Sequence, residues 1–139
     1  MKPSKFFILI AALLYAVMGI ASNGGDKKSQ RDKEISFKQD VLPVITKYCL
    51  PCHAEESYNP SELSLDSYSL LKDGGKHGPP VVSGKPEESV LLQKLEEKPP
   101  FGDRMPLARR RKSQEPPKRL NEEEIKILTD WIKQGAKDN

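Results

Sequence analysis

Apolar residues are scarce once the first 21 positions are set aside. Counted with glycine and without tyrosine, about a third of the 118 residues that follow are apolar, whereas a typical globular domain has roughly 45–50%. The chain has 6% aromatic residues, 2 cysteines and 1 tryptophan against 12 prolines. This composition argues against a large enzyme, a multi-pass membrane protein and a dinucleotide-binding α/β domain. Such a chain usually needs a disulfide, a metal or a large bound group to complete its core.

Two further features are missing. No stretch of the chain alternates apolar and polar residues as a β-strand would, and no internal repeat is visible. The formal net charge is +3 at pH 7, and it falls further if Lys2 and Lys5 are removed. A nearly neutral chain offers no general electrostatic reason to bind nucleic acid.

The apolar residues that do exist are concentrated at the start. Lys2 and Lys5 precede an uncharged apolar run over 6–21, and small residues end it, as in a secretory signal. We predict a signal peptide over 1–21, cleaved near Ala21–Ser22, with an uncleaved membrane anchor as the alternative. Both predict that the rest of the chain lies in the periplasm or outside the cell, and the anchor would tether it to the inner membrane. Segment 22–34 is rich in Gly, Ser and charge and is predicted to be a flexible leader.

Both cysteines belong to one run, Cys49-Leu50-Pro51-Cys52-His53. This C-x-x-C-H pattern is the attachment sequence for c-type haem. Two thiols at this spacing can add to the two vinyl groups of one porphyrin, and the next residue then lies under the iron. The sequence therefore predicts one covalent haem c held by Cys49 and Cys52, with His53 as the proximal iron ligand.

Three other interpretations of these cysteines stay open from the residues alone. A thioredoxin-like redox pair would need a surrounding βαβ pattern, which the sequence lacks. A zinc site would have to use Cys49, Cys52, His53 and His77, with spacings unlike those of zinc modules. A disulfide closing so short a loop would add little stability and would not explain His53.

The second axial ligand is expected from the far part of the chain. Met105 is the one methionine after the apolar run, and Pro106 follows it and would stiffen its loop. A thioether favours ferrous iron and raises the reduction potential, so we predict Met105 as the distal ligand. His77, in a glycine- and proline-rich turn, is the alternative and would imply a lower potential.

Helical signals surround these residues. Ser36 or Asp40 can cap a first helix that starts near Val41 and runs into the haem motif. A short amphipathic piece is predicted around 67–72, and Pro86 is predicted to open a helix. The last helix begins after Asn121 and has Glu124 three residues later, a capping box, and Gly135 ends it. Its predicted apolar face comprises Ile125, Leu128, Trp131 and Ile132. The residues predicted to line the haem pocket are Leu63, Leu65, Leu70 and Leu71.

Several separate motifs occur in the order found in one known family. They lie at 37–45, 49–53, 63–66, 74–79, 84–91, 105–106 and 120–136. Together they resemble the planctomycete-type cytochrome c domain, over nearly all of the predicted mature chain. The resemblance implies an all-α, class I-like cytochrome c fold over 35–137, with three to four helices and long loops around one haem. It also implies His53 as proximal ligand and Met105 as distal ligand.

A cluster of positive charge flanks Met105. Arg104 and the run Arg109–Lys112 lie close to it in the sequence, and Lys118 and Arg119 follow. If Met105 binds iron, this cluster could steer an acidic redox partner protein toward the haem. We therefore expect a periplasmic electron carrier rather than an enzyme, cycling between ferric and ferrous iron. A haem-based ligand sensor, or an accessory haem subunit of a larger redox complex, is the alternative.

Overall fold

The computed structural model describes residues 33–107 and 118–139. The predicted signal segment 1–21, the leader up to position 32 and the Arg109–Lys112 run lie outside the described residues. The elements given below all belong to the unit Glu34–Asn139.

The first helical element starts at a side-chain cap. The Ser36 hydroxyl accepts the backbone N–H of Gln39, and the Asp40 carboxylate accepts the backbone N–H of Ser36 at 2.9 Å. A π-helical segment Phe37–Val41 follows and leads directly into helix α1, Leu42–Tyr48. Pro43 lies in the first turn of α1, where its missing N–H costs nothing. Helix α1 ends at Tyr48, immediately before Cys49.

Three more α-helices are present in the described part of the chain, and it contains no β-strand. Helix α2 spans Tyr68–Asp73, capped by the Ser67 hydroxyl, which accepts the Leu70 N–H. Helix α3 is a single turn, Val90–Gln93, and helix α4 spans Glu122–Lys133. The predicted helical content, three to four helices and no strand, is confirmed for the described residues.

The segment opened by Pro86 differs from the prediction of one continuous helix. Pro86–Glu88 form a 3₁₀ turn, and Ser89 is extended before α3 begins. The Ser89 side chain is fully buried; its hydroxyl accepts the Val82 N–H at 3.0 Å and donates to the Lys85 carbonyl at 2.8 Å. These bonds hold Ser89 in the extended conformation and interrupt the helix.

The core lies where α4 meets the π-helical segment and α2. Three aromatic rings form its centre, with centroids 5.3 Å apart for Phe37–Tyr68 and 5.6 Å apart for Phe37–Trp131. Leu128, Trp131 and Ile132 are buried as predicted, but Ile125 is 37% exposed. That part of the prediction was wrong because the first turn of α4 extends beyond the packed core. Within the described ranges, no helix has both the length and the apolar character needed to cross a membrane.

Candidate functional site

A cavity of about 550 Å³ lies beside the C-terminal end of α1. Its walls are formed by the segment that follows α1, by the turn around His77, by α3 and by the loop 101–107. Cys49, Cys52, His53, His77 and Met105 all line it. The fold therefore brings the two predicted haem-attachment cysteines, the two predicted iron ligands and the alternative ligand to one cavity.

The two cysteines are free thiols, Cys49 partly buried and Cys52 exposed. Burial, aided by the neighbouring Cys52, raises the pKa of the Cys49 thiol to about 11. A catalytic redox pair needs the opposite, a thiol whose pKa is lowered so that the thiolate is populated. The described residues also contain no cluster of three or more Cys, His, Asp or Glu arranged to hold a metal ion. The raised pKa of Cys49 weighs against the redox-pair interpretation.

His53 is fixed by a hydrogen bond to the backbone. Its Nδ1 lies 3.0 Å from the carbonyl oxygen of Leu63. A carbonyl can only accept, so Nδ1 is the donor, and in the neutral ring Nε2 then keeps its lone pair. This bond sets both the tautomer and the ring orientation, as the hydrogen-bond partners of metal-binding histidines do. A further bond, from the Leu65 N–H to the His53 carbonyl at 2.8 Å, ties the same two segments together.

Met105 is carried by a loop with three backbone anchors. The Met105 N–H donates to the Lys94 carbonyl at 2.7 Å. On the N-terminal side, the Arg104 Nε donates to the Leu95 carbonyl at 2.6 Å. On the C-terminal side, the Arg119 guanidinium donates to the Pro106 carbonyl at 2.6 Å. The first two bonds hold the loop against the end of α3, and the third joins it to the segment before α4.

His77 reaches the same cavity from a tight turn. Its ring stacks on Phe101, with centroids 4.4 Å apart and an interplanar angle of 34°. The turn is closed by the Gly78 N–H, which donates to the Gly75 carbonyl at 2.8 Å. His77 is exposed, whereas Met105 is partly buried.

The apolar lining only partly matches the sequence expectation. Leu63 and Leu65 line the cavity as predicted. Leu71, in contrast, is fully buried in the core, and Leu70 is not among the lining residues. Helix α2 turns its apolar side toward the aromatic cluster because Tyr68 and Leu71 pack there. The sequence alone could not tell which leucines face the cavity and which face the core, because helical spacing marks an apolar residue without showing what it packs against.

Other residues of the cavity wall were missed from the sequence. They include Tyr48, Pro80, Leu91, Leu95 and Phe101. Tyr48 had one signal, its position immediately before Cys49. Its hydroxyl donates to the Glu124 carboxylate at 2.7 Å. The two residues are 76 positions apart, so no local sequence pattern could predict this contact.

The cavity suits a haem in size and chemistry. Its volume falls in the range of roughly 300–1,000 Å³ typical of cofactor sites. It offers two free thiols, an imidazole with an available Nε2 lone pair, a thioether and leucine side chains. Thiols suit covalent attachment to the porphyrin, and imidazole and thioether suit the iron.

The comparisons with known proteins agree with this site. Residues 49–106 match the family model described as Planctomycete cytochrome C. No curated protein and no solved structure matched the chain. The matched stretch begins at the first cysteine and ends just after Met105, so it contains most of the residues that line the cavity. A cytochrome c domain implies haem c with its iron and suggests an electron carrier rather than an enzyme. Residues 49–106, less than half of the chain, are thus similar to the planctomycete cytochrome c domain.

Proposed function

We propose that this protein is an exported monohaem c-type cytochrome that carries electrons with His53 and Met105 as axial ligands. The observation that carries the proposal is the shared cavity, where Cys49, Cys52, His53 and Met105 meet although Met105 is 52 residues from His53 in the chain. A haem bound there would supply the Fe(III)/Fe(II) couple. No substrate pocket or general acid is needed for that task.

Each side chain has a defined part in this proposal. Cys49 and Cys52 hold the porphyrin covalently. His53 offers Nε2 to the iron, because its Nδ1–H is engaged by Leu63. Leu63, Leu65, Leu91 and Leu95 exclude water, which keeps the local dielectric low and limits reorganisation of solvent during electron transfer.

Met105 is favoured over His77 by its anchoring. Its own N–H and the carbonyl of Pro106 are both engaged, and the residue is partly buried. His77 is exposed, and its ring is already stacked on Phe101.

The cavity rim supports docking of an acidic redox partner. Lys94 and Lys118 line it, and Phe101 and Leu107 are 38% and 55% exposed there. Cations around an apolar contact area speed the encounter with a negatively charged protein. Arg104 and Arg119 belong to the same cluster, since each donates to a backbone carbonyl, as Lys94 does to the Phe101 carbonyl, and keeps its positive charge. Replacing Lys118 or the Arg109–Lys112 run by Ser should weaken the salt dependence of the electron-transfer rate; an unchanged dependence would contradict docking at this rim.

Export is supported by the family, whose domains are typically exported. The proposal includes cleavage near Ala21–Ser22, which the mass of the mature protein tests directly. A mass that includes residues 1–21, with recovery in the membrane fraction, would replace the cleaved signal by an anchor at the inner membrane.

Absorption spectroscopy tests the ligand set. The parent, Met105→Ala and His77→Ala should be produced with a haem c maturation system and compared oxidised and reduced. The expected result is covalent haem in all three, with the weak red Fe–S(Met) band absent in Met105→Ala alone. Absence of that band from the parent would favour bis-His ligation, and rapid carbon monoxide binding to the ferrous parent would favour a ligand sensor. Absence of covalent haem would overturn the proposal.

A further inference from the structure

The start of helix α4 contacts the haem-attachment side of the cavity. The Glu124 carboxylate accepts the Lys47 ammonium at 2.6 Å and the Tyr48 hydroxyl at 2.7 Å. Both donors belong to the last turn of α1, and Tyr48 directly precedes Cys49 and lines the cavity. Glu124 is itself fixed, because its carboxylate also accepts the Asn121 N–H in the capping box. The Glu124 side chain is only 13% exposed.

The segment just before α4 also contacts the part of the cavity wall that carries Met105. Arg119, two residues before the N-cap, donates from its guanidinium to the Pro106 carbonyl at 2.6 Å. Pro106 directly follows Met105 and lines the cavity. The described segment 118–124 therefore bonds to the neighbour of Cys49 and to the neighbour of Met105.

These contacts are separate from the packing that holds α4 in the fold. The buried side chains of α4, Leu128, Trp131 and Ile132, lie one to two turns further along the helix. They pack in the core with Phe37 and Val41. The contacts of Arg119 and Glu124 with the cavity walls are polar and charge-assisted, and such bonds are directional and short.

From this arrangement we infer that Arg119 and Glu124 are positioning residues that hold the two iron-ligand segments at a fixed separation. Glu124 acts through Tyr48 on the segment with Cys49 and His53, and Arg119 acts through Pro106 on Met105. The inference rests on the proposed function, since it assigns a role to the separation of His53 and Met105. Without either residue, the Met105 thioether would leave the iron more readily, and an added ligand would compete more easily.

The experiment uses the haem-loaded protein and imidazole as the competing ligand for ferric iron. Arg119→Gln should weaken the Fe–S(Met) band and tighten imidazole binding by about tenfold, the effect expected from losing one charge-assisted hydrogen bond. Arg119→Lys, which keeps a cationic donor, should recover part of the loss. Lys126→Gln is the matched control, because Lys126 lies on α4 and pairs with Asp130 on the same exposed surface.

The attachment side has its own variants. Glu124→Gln removes the carboxylate charge, and Tyr48→Phe removes only the hydroxyl, so the second remains informative if the first folds poorly. Both variants should bind imidazole more tightly than the parent does. The control Lys126→Gln should keep the covalent haem and the thermal midpoint of the parent.

The outcomes separate the inference from the proposed function. A parental protein without the Fe–S(Met) band would overturn His/Met ligation and the inference with it. A parental band that is unaffected by Arg119→Gln, Glu124→Gln and Tyr48→Phe would overturn the inference alone. Imidazole affinities that follow the thermal midpoint equally in every variant, the control included, would show general stability instead of positioning.

Discussion

At the scale of single residues, Glu124 has the most consequential chemistry beside the cavity. Its hydrogen bond from the Lys47 ammonium, together with those from the Asn121 N–H and the Tyr48 hydroxyl, lowers its pKa from 4.5 to about 2. The same bond raises the pKa of Lys47. The carboxylate is therefore favoured in the folded protein over most of the acidic range.

This pKa predicts a specific acid sensitivity. Because the folded carboxyl binds its proton more weakly than the unfolded one, its stabilisation is complete above about pH 4.5 and is lost as pH falls toward 2. The free energy of unfolding should decrease over that window, and it should do so less steeply in Glu124→Gln. Urea unfolding at several pH values measures both slopes; equal slopes would show that Glu124 is not the group responsible.

A second residue-scale prediction concerns the turn that carries His77. Gly74 and Gly78 have φ values of +77° and +78°. A Cβ at Gly74 would lie 2.4 Å from the backbone of Gly78, whereas a Cβ at Gly78 would meet nothing within 4 Å. Gly78→Ala should cost only the positive-φ strain, roughly 1–2 kcal/mol, and Gly74→Ala should cost clearly more. Chemical denaturation of the two variants tests this, and equal costs would contradict the tight approach.

At the scale of elements, helix α4 is divided into a cap, a polar first turn and a buried stripe. The Asn121 side chain accepts the Glu124 N–H at 2.8 Å, while Glu124 accepts the Asn121 N–H at 2.9 Å. This capping box was visible in the sequence because its partners are three residues apart. The exposure of Ile125 was not, since the helical period places it on the same stripe as Leu128.

That division predicts unequal costs for two similar truncations. Leu128 is 3% exposed and Ile125 is 37% exposed. Leu128→Ala should therefore destabilise the protein by about 2–5 kcal/mol, the range for a buried leucine. Ile125→Ala should cost less than half as much, since little cavity forms at a half-open position. Denaturant midpoints of the two variants compare the losses of stability directly. Similar losses would show that Ile125 contributes to the core as much as Leu128 does.

At the scale of the whole molecule, the small aromatic core and the cavity form two apolar regions. The aromatic region is closed by Trp131, whose Nε1 donates to the Lys137 carbonyl at 2.9 Å, and by Tyr68, whose hydroxyl donates to the Ala136 carbonyl at 2.8 Å. The second region consists of the leucines around a cavity of about 550 Å³. A chain with so few apolar residues depends on filling it.

We therefore expect the bound group to contribute a large part of the free energy of unfolding. The double variant Cys49→Ala, Cys52→Ala cannot hold haem covalently, and its thermal midpoint should be lower by about 15 °C or more, because each kcal/mol lost shifts a domain of this size by roughly 4–8 °C. Differential scanning calorimetry of the parent and variant measures the difference. Tyr58→Ala, at a side chain that is 95% exposed, is the control and should leave the midpoint unchanged. Equal midpoints for the parent and the double variant would show that the protein part is stable alone.

The sequence alone determined the features whose partners are close together in the chain. Three such features are the C-x-x-C-H run, the Ser36 and Asn121 caps, and the start of α1 around Pro43. Each depends on residues a few positions apart, so the spacing in the sequence is enough to predict it. Met105 could be named because no other methionine follows the apolar run. The hydrogen bonds that anchor its loop could not be derived from spacing, and neither could the fact that Met105 and His77 line the same cavity.

Tertiary structure decided what depends on contacts between distant segments. The bonds of Tyr48 to Glu124 and of Arg119 to Pro106, and the separation of the leucines into core and cavity, arise only when the chain has folded. A local pattern records the period of a helix and the residue at its cap. It does not record which apolar face meets a core, or which carbonyl a long cationic side chain reaches, because those depend on the packing of every other element.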